Sequence, residues 1–145
     1  MPLKSDRNTP MRATDLLVIP VVGNTQIWAG SLVAANSNGL AVPGAIAPDL
    51  LYLGRAEHAV DSRSLQAGAK SIAVRRNQAF QWDQDGSIDQ SHLFKLAYIL
   101  DDHTVAVGDR RRTHSIAGRI VGVEARGVWI EAIDYVEEPT PNAGE

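Results

Sequence analysis

The polar cluster Asp101-Asp102-His103, with Asp109 further on, is the group of residues whose types come closest to a metal site. Carboxylate oxygens in such a group can bind a divalent cation. The spacing matches no known cation-binding loop, however, and aspartates in turns commonly accept hydrogen bonds from nearby backbone amides. We therefore expect a capped turn here and no metal.

The second candidate for chemistry is the pair His114-Ser115. A serine nucleophile needs a base that faces its hydroxyl and is itself oriented by a third group. Adjacent residues on a strand point to opposite faces, so this pair does not meet that requirement. The sequence also lacks the glycine-rich phosphate loops, the HExxH motif and the GxSxG motif, and it contains no cysteine. We expect a protein that is not an enzyme and has no cofactor.

Two basic runs, Arg75-Arg76 and Arg110-Arg111-Arg112, are suited to binding phosphate or an acidic protein surface. The alternative is that they are solvated loop charges. The formal net charge of −3 and the lack of interleaved aromatic residues favour that alternative over nucleic-acid binding. A partner protein with acidic patches would still use these arginines.

The elements that must position these residues are short strands separated by Gly, Asn and Pro turns. The clearest is a hairpin over Ser115–Ile133, in which Gly127 supplies the turn and Gly118 and Gly122 indicate a bulge or a close backbone approach. Further strands are predicted over Asp15–Val22, Gln26–Ala35, Leu40–Val42, Leu50–Val60 (through a bulge at Gly54), Ser71–Trp82 (a strand pair turning at Arg75-Arg76-Asn77), Leu96–Leu100 and Thr104–Val107.

Two features refine this pattern. Pro20 removes a backbone donor, which places it at a sheet edge, at a bulge or at the end of a strand. Ser87–Lys95 is the one fair helix candidate, capped by Ser87 or Asp89. The sequence thus predicts a mainly β fold, an antiparallel barrel or sandwich that is jelly-roll-like, with at most one short helix and extended terminal arms. Trp28, Leu32, Trp82 and Trp129 are expected in the core.

The chain of 145 residues divides into three predicted parts. Residues 1–12 form a polar N-terminal arm, residues 13–134 a single β domain, and residues 135–145 an acidic C-terminal tail with prolines. No run approaches the ~20 apolar residues of a membrane span, and the first residues lack the apolar core of a signal peptide. We expect a protein made in the cytoplasm that does not interact with membranes.

Four segments resemble the small head-decoration, or cement, proteins of tailed bacteriophages, of the Bordetella-phage and Mu-like prophage type. They lie in the same order along most of the chain, although Phe94 stands where such sequences have a glycine and the tail after Ile133 is longer than usual. The segments are Lys4-Ser5-Asp6-Arg7-Asn8-Thr9-Pro10; Trp28–Val33 followed by Gly39–Gly44; Leu53–Glu57 with Val60-Asp61; and Ala97–Val105 followed by Ser115–Gly118 and Gly127–Ile130.

The resemblance implies a β-rich protein without enzymatic activity that binds the outer face of an assembled capsid. Its partners would be the major capsid protein and a second copy of itself, as a homodimer or alternatively a homotrimer. A different virion protein of the tail or head-completion type, and a small ligand-binding β-barrel, are the alternatives. Candidate capsid contacts are the arm residues Leu3, Lys4, Arg7, Met11 and Arg12 and the basic runs Arg75, Arg76, Arg110, Arg111 and Arg112.

Overall fold

A computed structural model describes residues 2–133, which form short strands and a single turn of 3₁₀ helix. The mainly β fold with antiparallel sheets that the sequence predicts is confirmed. The strands are β1 (Leu16–Pro20), β2 (Gln26–Ile27), β3 (Leu32–Ala35), β4 (Ala41–Pro43), β5 (Leu51–Ala56), β6 (Val60–Asp61), β7 (Ser71–Arg75), β8 (Ala79–Gln84), β9 (Leu96–Ile99), β10 (Thr104–Ala106), β11 (Ile116–Glu124) and β12 (Gly127–Glu131).

The first half of the chain builds an antiparallel five-stranded sheet in the order β1-β7-β5-β3-β4, with β2 and β6 paired separately. β1 lies at its edge and Pro20 is its last residue, which are two of the three positions that the sequence left open for the proline. Beyond β1, Val21 forms a parallel bridge with Ala41, and the Val22 amide donates to the Ala41 carbonyl at 3.1 Å. The residues just after β1 therefore contact β4 at one end of the sheet, whereas β1 itself is not paired with β4.

The second half forms a small closed barrel in the order β10-β8-β12-β11-β9. β8 and β10 run parallel, and the other neighbours are antiparallel. The predicted hairpin is confirmed as β11 and β12, which turn at Ala125-Arg126, with register shifts beside Gly118 and Gly122. A Cβ on Gly118 would overlap the Glu131 carbonyl oxygen, which confirms the predicted close approach of two backbones.

Two predicted strands are each split in the structure. Gln26–Ala35 becomes β2 and β3, because Trp28–Ser31 turns, with Gly30 at φ +81°. This turn leaves Trp28 62% exposed, so its predicted core position is wrong, whereas Leu32 is fully buried. Leu50–Val60 becomes β5 and β6, and the bulge predicted near Gly54 is present opposite Val33 and Ala34.

The predicted strand pair within Ser71–Trp82 is also wrong. A turn with Asn77 at φ +61° separates β7 from β8, as predicted, but β7 pairs with β1 and β5 while β8 pairs with β12 and β10. Each of the two strands is instead paired on both sides with strands that are distant in sequence. The turn therefore carries the chain from the sheet into the barrel.

The helix candidate Ser87–Lys95 is reduced to a 3₁₀ turn over Gln90–His92, capped by Asp89. Phe94 follows with φ +67°, a conformation that costs an L residue about 1–2 kcal/mol and that glycine adopts freely. The backbone at this position is therefore one that glycine would adopt without strain.

Two hydrophobic clusters hold the strands together. One fills the barrel and extends to the near face of the sheet through Leu32, Ala34 and Tyr52. The other lies on the opposite face of the sheet, where Val33, Leu53, Ile72 and Val74 pack with Ile27 and Val60 of the β2–β6 pair. Because β3 and β5 contribute to both clusters, the sheet is buried on its two faces. Within residues 2–133, no helix is long and apolar enough to cross a membrane.

Candidate docking surface

The N-terminal arm, residues 2–15, carries no strand or helix and is exposed along its length. Leu3 is 72% exposed and Met11 is 97% exposed, while Arg7 Nη1 donates to Thr9 Oγ1 at 2.8 Å. Lys4 and Arg12 are exposed as well. All five arm residues proposed as contacts are thus accessible to a partner. The predicted acidic tail, residues 135–145, lies outside the described residues.

The arm runs directly into β1, whose outer edge is open. Asp15 and Val21 exchange hydrogen bonds with the β7 side, because the Arg76 amide donates to the Asp15 carbonyl and the Val21 amide donates to the Lys70 carbonyl, both at 2.8 Å. Hydrogen-bonded residues alternate along an antiparallel pair, so the backbone groups of Leu16 and Val18 point away from β7. No strand within residues 2–133 covers them there. This edge therefore offers unpaired donors and acceptors.

The side chains on this edge are apolar and accessible. Leu16 is 41% exposed and Val18 is 68% exposed, and Pro20 continues the same exposed row. Such an edge is a template for strand addition by another chain. Pro20, the last residue of β1, has no amide hydrogen to donate, so strand addition is limited to the part of β1 nearest the arm.

Arg75 and Arg76 lie where the arm joins the sheet. Arg76 Nη1 donates to the Thr14 carbonyl at 3.2 Å, and Arg75 Nη1 lies 3.7 Å from Asp15 Oδ2. The structure therefore brings this basic run together with the base of the arm. Of its two members, Arg76 holds the arm in place, whereas Arg75 faces a neighbouring groove.

The second basic run lies on the loop between β10 and β11. Arg110 donates from Nε to the Val107 carbonyl at 2.8 Å and from Nη2 to Asp85 Oδ2 at 3.4 Å, while Arg111 and Arg112 are exposed. Arg110 thus organises its own loop of the barrel. Its partners Val107 and Asp85 belong to the barrel half of the chain, whereas Arg76 contacts the base of the arm.

A groove of about 490 Å³ lies between the sheet and the barrel. Arg55 and Arg75 line it, and both donate to Glu57, from Arg55 Nη2 at 2.6 Å and from Arg75 Nη2 at 3.0 Å. The Arg55 guanidinium lies 5.1 Å from the centre of the Phe80 ring, and Trp129 also lines the groove. The hydrogen bonds from Arg55, and then those from Arg75, lower the pKa of Glu57, which therefore stays ionised.

This groove was not predicted from the sequence. Arg75 and Arg76 were predicted to act together as one basic run, although their side chains have different partners. One signal was present: Arg55 and Glu57 are two residues apart near the end of a strand, a spacing that places side chains on one face. Which strand lies beside them cannot be read from that spacing.

The acidic cluster is the capped turn that the sequence predicts. Asp101 Oδ1 accepts the His103 amide at 2.9 Å, and the side-chain ligand atoms of Asp101, Asp102 and His103 lie within 4.8 Å of one another. His103 Nδ1 lies 2.8 Å from Asp83 Oδ2, and this hydrogen bond raises the pKa of His103. Asp101 thus caps its own turn, and His103 joins that turn to β8.

Ser115 and His114 are also held by separate partners. Ser115 Oγ donates to the Ala47 carbonyl at 2.6 Å and accepts from the Leu50 amide at 2.8 Å, whereas His114 Nδ1 lies 2.6 Å from Thr113 Oγ1. Burial lowers the pKa of His114. Ser115 therefore fixes the loop that precedes β5.

Comparisons with protein-family models, with curated proteins and with solved structures gave no match for this chain. Its function must therefore be inferred from the accessible arm, the open edge of β1 and the groove.

Proposed function

We propose that this chain is a structural bacteriophage protein that binds the outer surface of the assembled capsid and bridges neighbouring major capsid subunits. In this role it is not an enzyme, acts as a homodimer and is part of the virion exterior. The proposal rests on the family resemblance and on one observation. The accessible arm continues into β1, an edge strand whose outer side is unpaired.

The arm and the edge together supply two attachments of different kinds. Strand addition at Leu16 and Val18 uses main-chain hydrogen bonds, for which the partner needs only an extended segment. The arm adds apolar contacts through Leu3 and Met11 and charged contacts through Arg7 and Arg12. Two linked attachments bind far more tightly than either alone, because the second has a high effective concentration.

A rigid body between these attachments suits a clamp across a seam of the shell. β1 is hydrogen-bonded to β7 and β7 to β5, and Tyr52 of β5 packs in the cluster that fills the barrel, so a load on β1 reaches the barrel through the sheet. A dimer presents two such arms and can span two capsid subunits.

Among the alternatives, another virion protein would use the same arm and edge in a ring. A ligand-binding barrel has less support, since the barrel strands direct Ile99, Val105, Ile120, Val128 and Ile130 into the hydrophobic cluster. These side chains occupy the space that a ligand would need.

The proposal is tested by mixing the purified protein with empty expanded capsids from the same phage and sedimenting the particles. Deleting residues 2–12 should leave the fold intact, because those residues contribute nothing to either hydrophobic cluster, and should abolish decoration. Decoration at wild-type occupancy by the deleted protein would contradict the role of the arm. Wild-type protein that does not sediment with capsids would contradict the proposed function itself.

A matched pair of proline variants tests the edge. Val18→Pro removes an amide that points away from β7, so it should preserve folding and lower capsid occupancy, with Val18→Thr as the side-chain control. Leu17→Pro removes an amide that β7 uses and should lower the free energy of unfolding by about 3 kcal/mol. Equal capsid binding by Val18→Pro and Val18→Thr would show that strand addition is not used.

A further inference from the structure

The groove between the sheet and the barrel has donors that its own residues leave unused. Each guanidinium carries five N–H donors, and Arg55 and Arg75 each direct two groups, Nε and Nη2, at Glu57. Their side chains remain 43% and 32% exposed. Asp15 lies 3.7 Å from Arg75, beyond hydrogen-bond distance. The arginine pair can therefore accept a further carboxylate.

The rest of the lining is mixed. Gly30, Gln78, Ala79 and Gln81 line the groove together with three aromatic residues, of which Phe80 and Trp82 are buried and Trp129 is half-buried. Aromatic-lined grooves bind proline-containing segments, and arginine forks bind carboxylates. The chemistry of the groove thus suits a peptide that combines acidic residues with prolines.

The chain itself supplies such a peptide at the right place. The last strand, β12, ends at Glu131, which pairs with Ala79 of the groove wall. A second hollow of about 260 Å³, lined by Asn77, Gln78, Ala79, Glu131 and Ala132, shares Gln78 and Ala79 with the groove. The chain therefore leaves the barrel beside the groove, with residues 134–145 still to follow.

The sequence of those residues matches the groove. Glu137-Glu138-Pro139-Thr140-Pro141 places two carboxylates directly before two prolines. The four residues from 134 to 137 can span at most ~14 Å beyond Ile133. Intramolecular binding at this distance benefits from a high effective concentration.

We propose that the groove binds Glu137–Pro141 of the same chain, with the glutamates on Arg55 and Arg75 and the prolines against Trp129. The groove is then a site for an acidic, proline-containing segment. This site is independent of capsid binding and stands if the proposed function fails.

The test uses the full chain with Thr140→Cys, which can be labelled uniquely with a nitroxide because the chain contains no cysteine. In the ¹⁵N-labelled protein, the Arg55 Nε–H and Trp129 indole signals should lose most of their intensity to the spin label and regain it when the label is reduced. Adding Glu137→Lys and Glu138→Lys to the same chain should lower the bound fraction at least about tenfold and restore the signals.

Three results would overturn the proposal. Signals unaffected by the label would show that the segment does not visit the groove. Broadening that persists in the double lysine variant would show that the arginines do not recognise it. Broadening that also appears in a mixture of spin-labelled unenriched chain and ¹⁵N-enriched chain without a spin label would show that the occupant comes from a second copy.

Discussion

At the scale of single residues, Phe94 has a left-handed backbone conformation that is unfavourable for an L residue. Its φ is +67°, its side chain is 65% exposed, and its amide donates to the Ile120 carbonyl at 2.7 Å. The side chain therefore gains little from packing, while the hydrogen bond to β11 holds the backbone in the left-handed region. The strain therefore comes from the backbone conformation that this junction requires, and any residue with a Cβ would share it.

Phe94→Gly should relieve this strain. We expect the variant to have a free energy of unfolding about 1 kcal/mol higher than Phe94→Ala, which keeps the Cβ that disfavours this conformation. Urea denaturation of the two variants measures the difference. Equal stability would mean that the positive φ carries no cost here.

Residue types predicted the core for two of the four expected side chains. The core position predicted for Trp129 is wrong, because its side chain in the middle of β12 is only half-buried and belongs to neither hydrophobic cluster. Leu32 and Trp82 are buried as expected, but Trp28 lies in a turn and is 62% exposed. Hydrophobicity alone favoured burial for all three. The turn depends on Gly30 at φ +81°, a conformation that the amino-acid type permits but does not require.

At the scale of elements, β5 and β7 lie so close together that there is no room for a side chain at Gly54. Its φ is +148°, and a Cβ there would overlap the carbonyl oxygen of Arg75. This contact sets how closely the two strands approach. It also positions Arg55 beside Arg75, and thus the arginine pair of the groove.

Gly54→Ala should therefore destabilise the protein by at least ~3 kcal/mol, because backbone strain and strand separation add. Gly86→Ala is the matched control: Gly86 has φ +100°, and no atom lies within 4 Å of a Cβ there, so strain alone should cost about 1–2 kcal/mol. Thermal unfolding of both variants distinguishes the two contributions. Similar losses would show that β5 and β7 separate easily.

Elements could be predicted from the sequence more reliably than their partners. The hairpin of β11 and β12 is local, so periodicity and a turn sufficed to identify it. β7 and β8 are also adjacent in sequence, yet they pair with different sheets. Partner choice depends on long-range ladders that a single sequence does not encode locally, which is why the groove between sheet and barrel was not predicted.

At the scale of the whole molecule, one hydrogen bond joins the sheet to the barrel within their shared core. Trp82 Nε1 of β8 donates to Tyr52 Oη of β5 at 3.1 Å, and both side chains are buried. Leu32 reinforces this connection, because its amide donates to the Asp102 carbonyl at 2.7 Å. The two halves should therefore unfold together, with fluorescence and circular dichroism giving coincident transitions.

Tyr52→Phe leaves the buried Trp82 donor without an acceptor and should lower the free energy of unfolding by about 1–3 kcal/mol in both signals equally. Burial raises the pKa of Tyr52 to about 12, although the hydrogen bond from Trp82 opposes this. Because the folded pKa exceeds the unfolded value near 10, the stabilisation is complete below pH 10 and is lost as the pH rises toward 12. Denaturation at a series of alkaline pH values should show this loss in the wild type and a smaller one in Tyr52→Phe. If the variant destabilised only one of the two signals, the sheet and the barrel would be unfolding separately, and a clamp that passes load from β1 to the barrel would lack its physical basis.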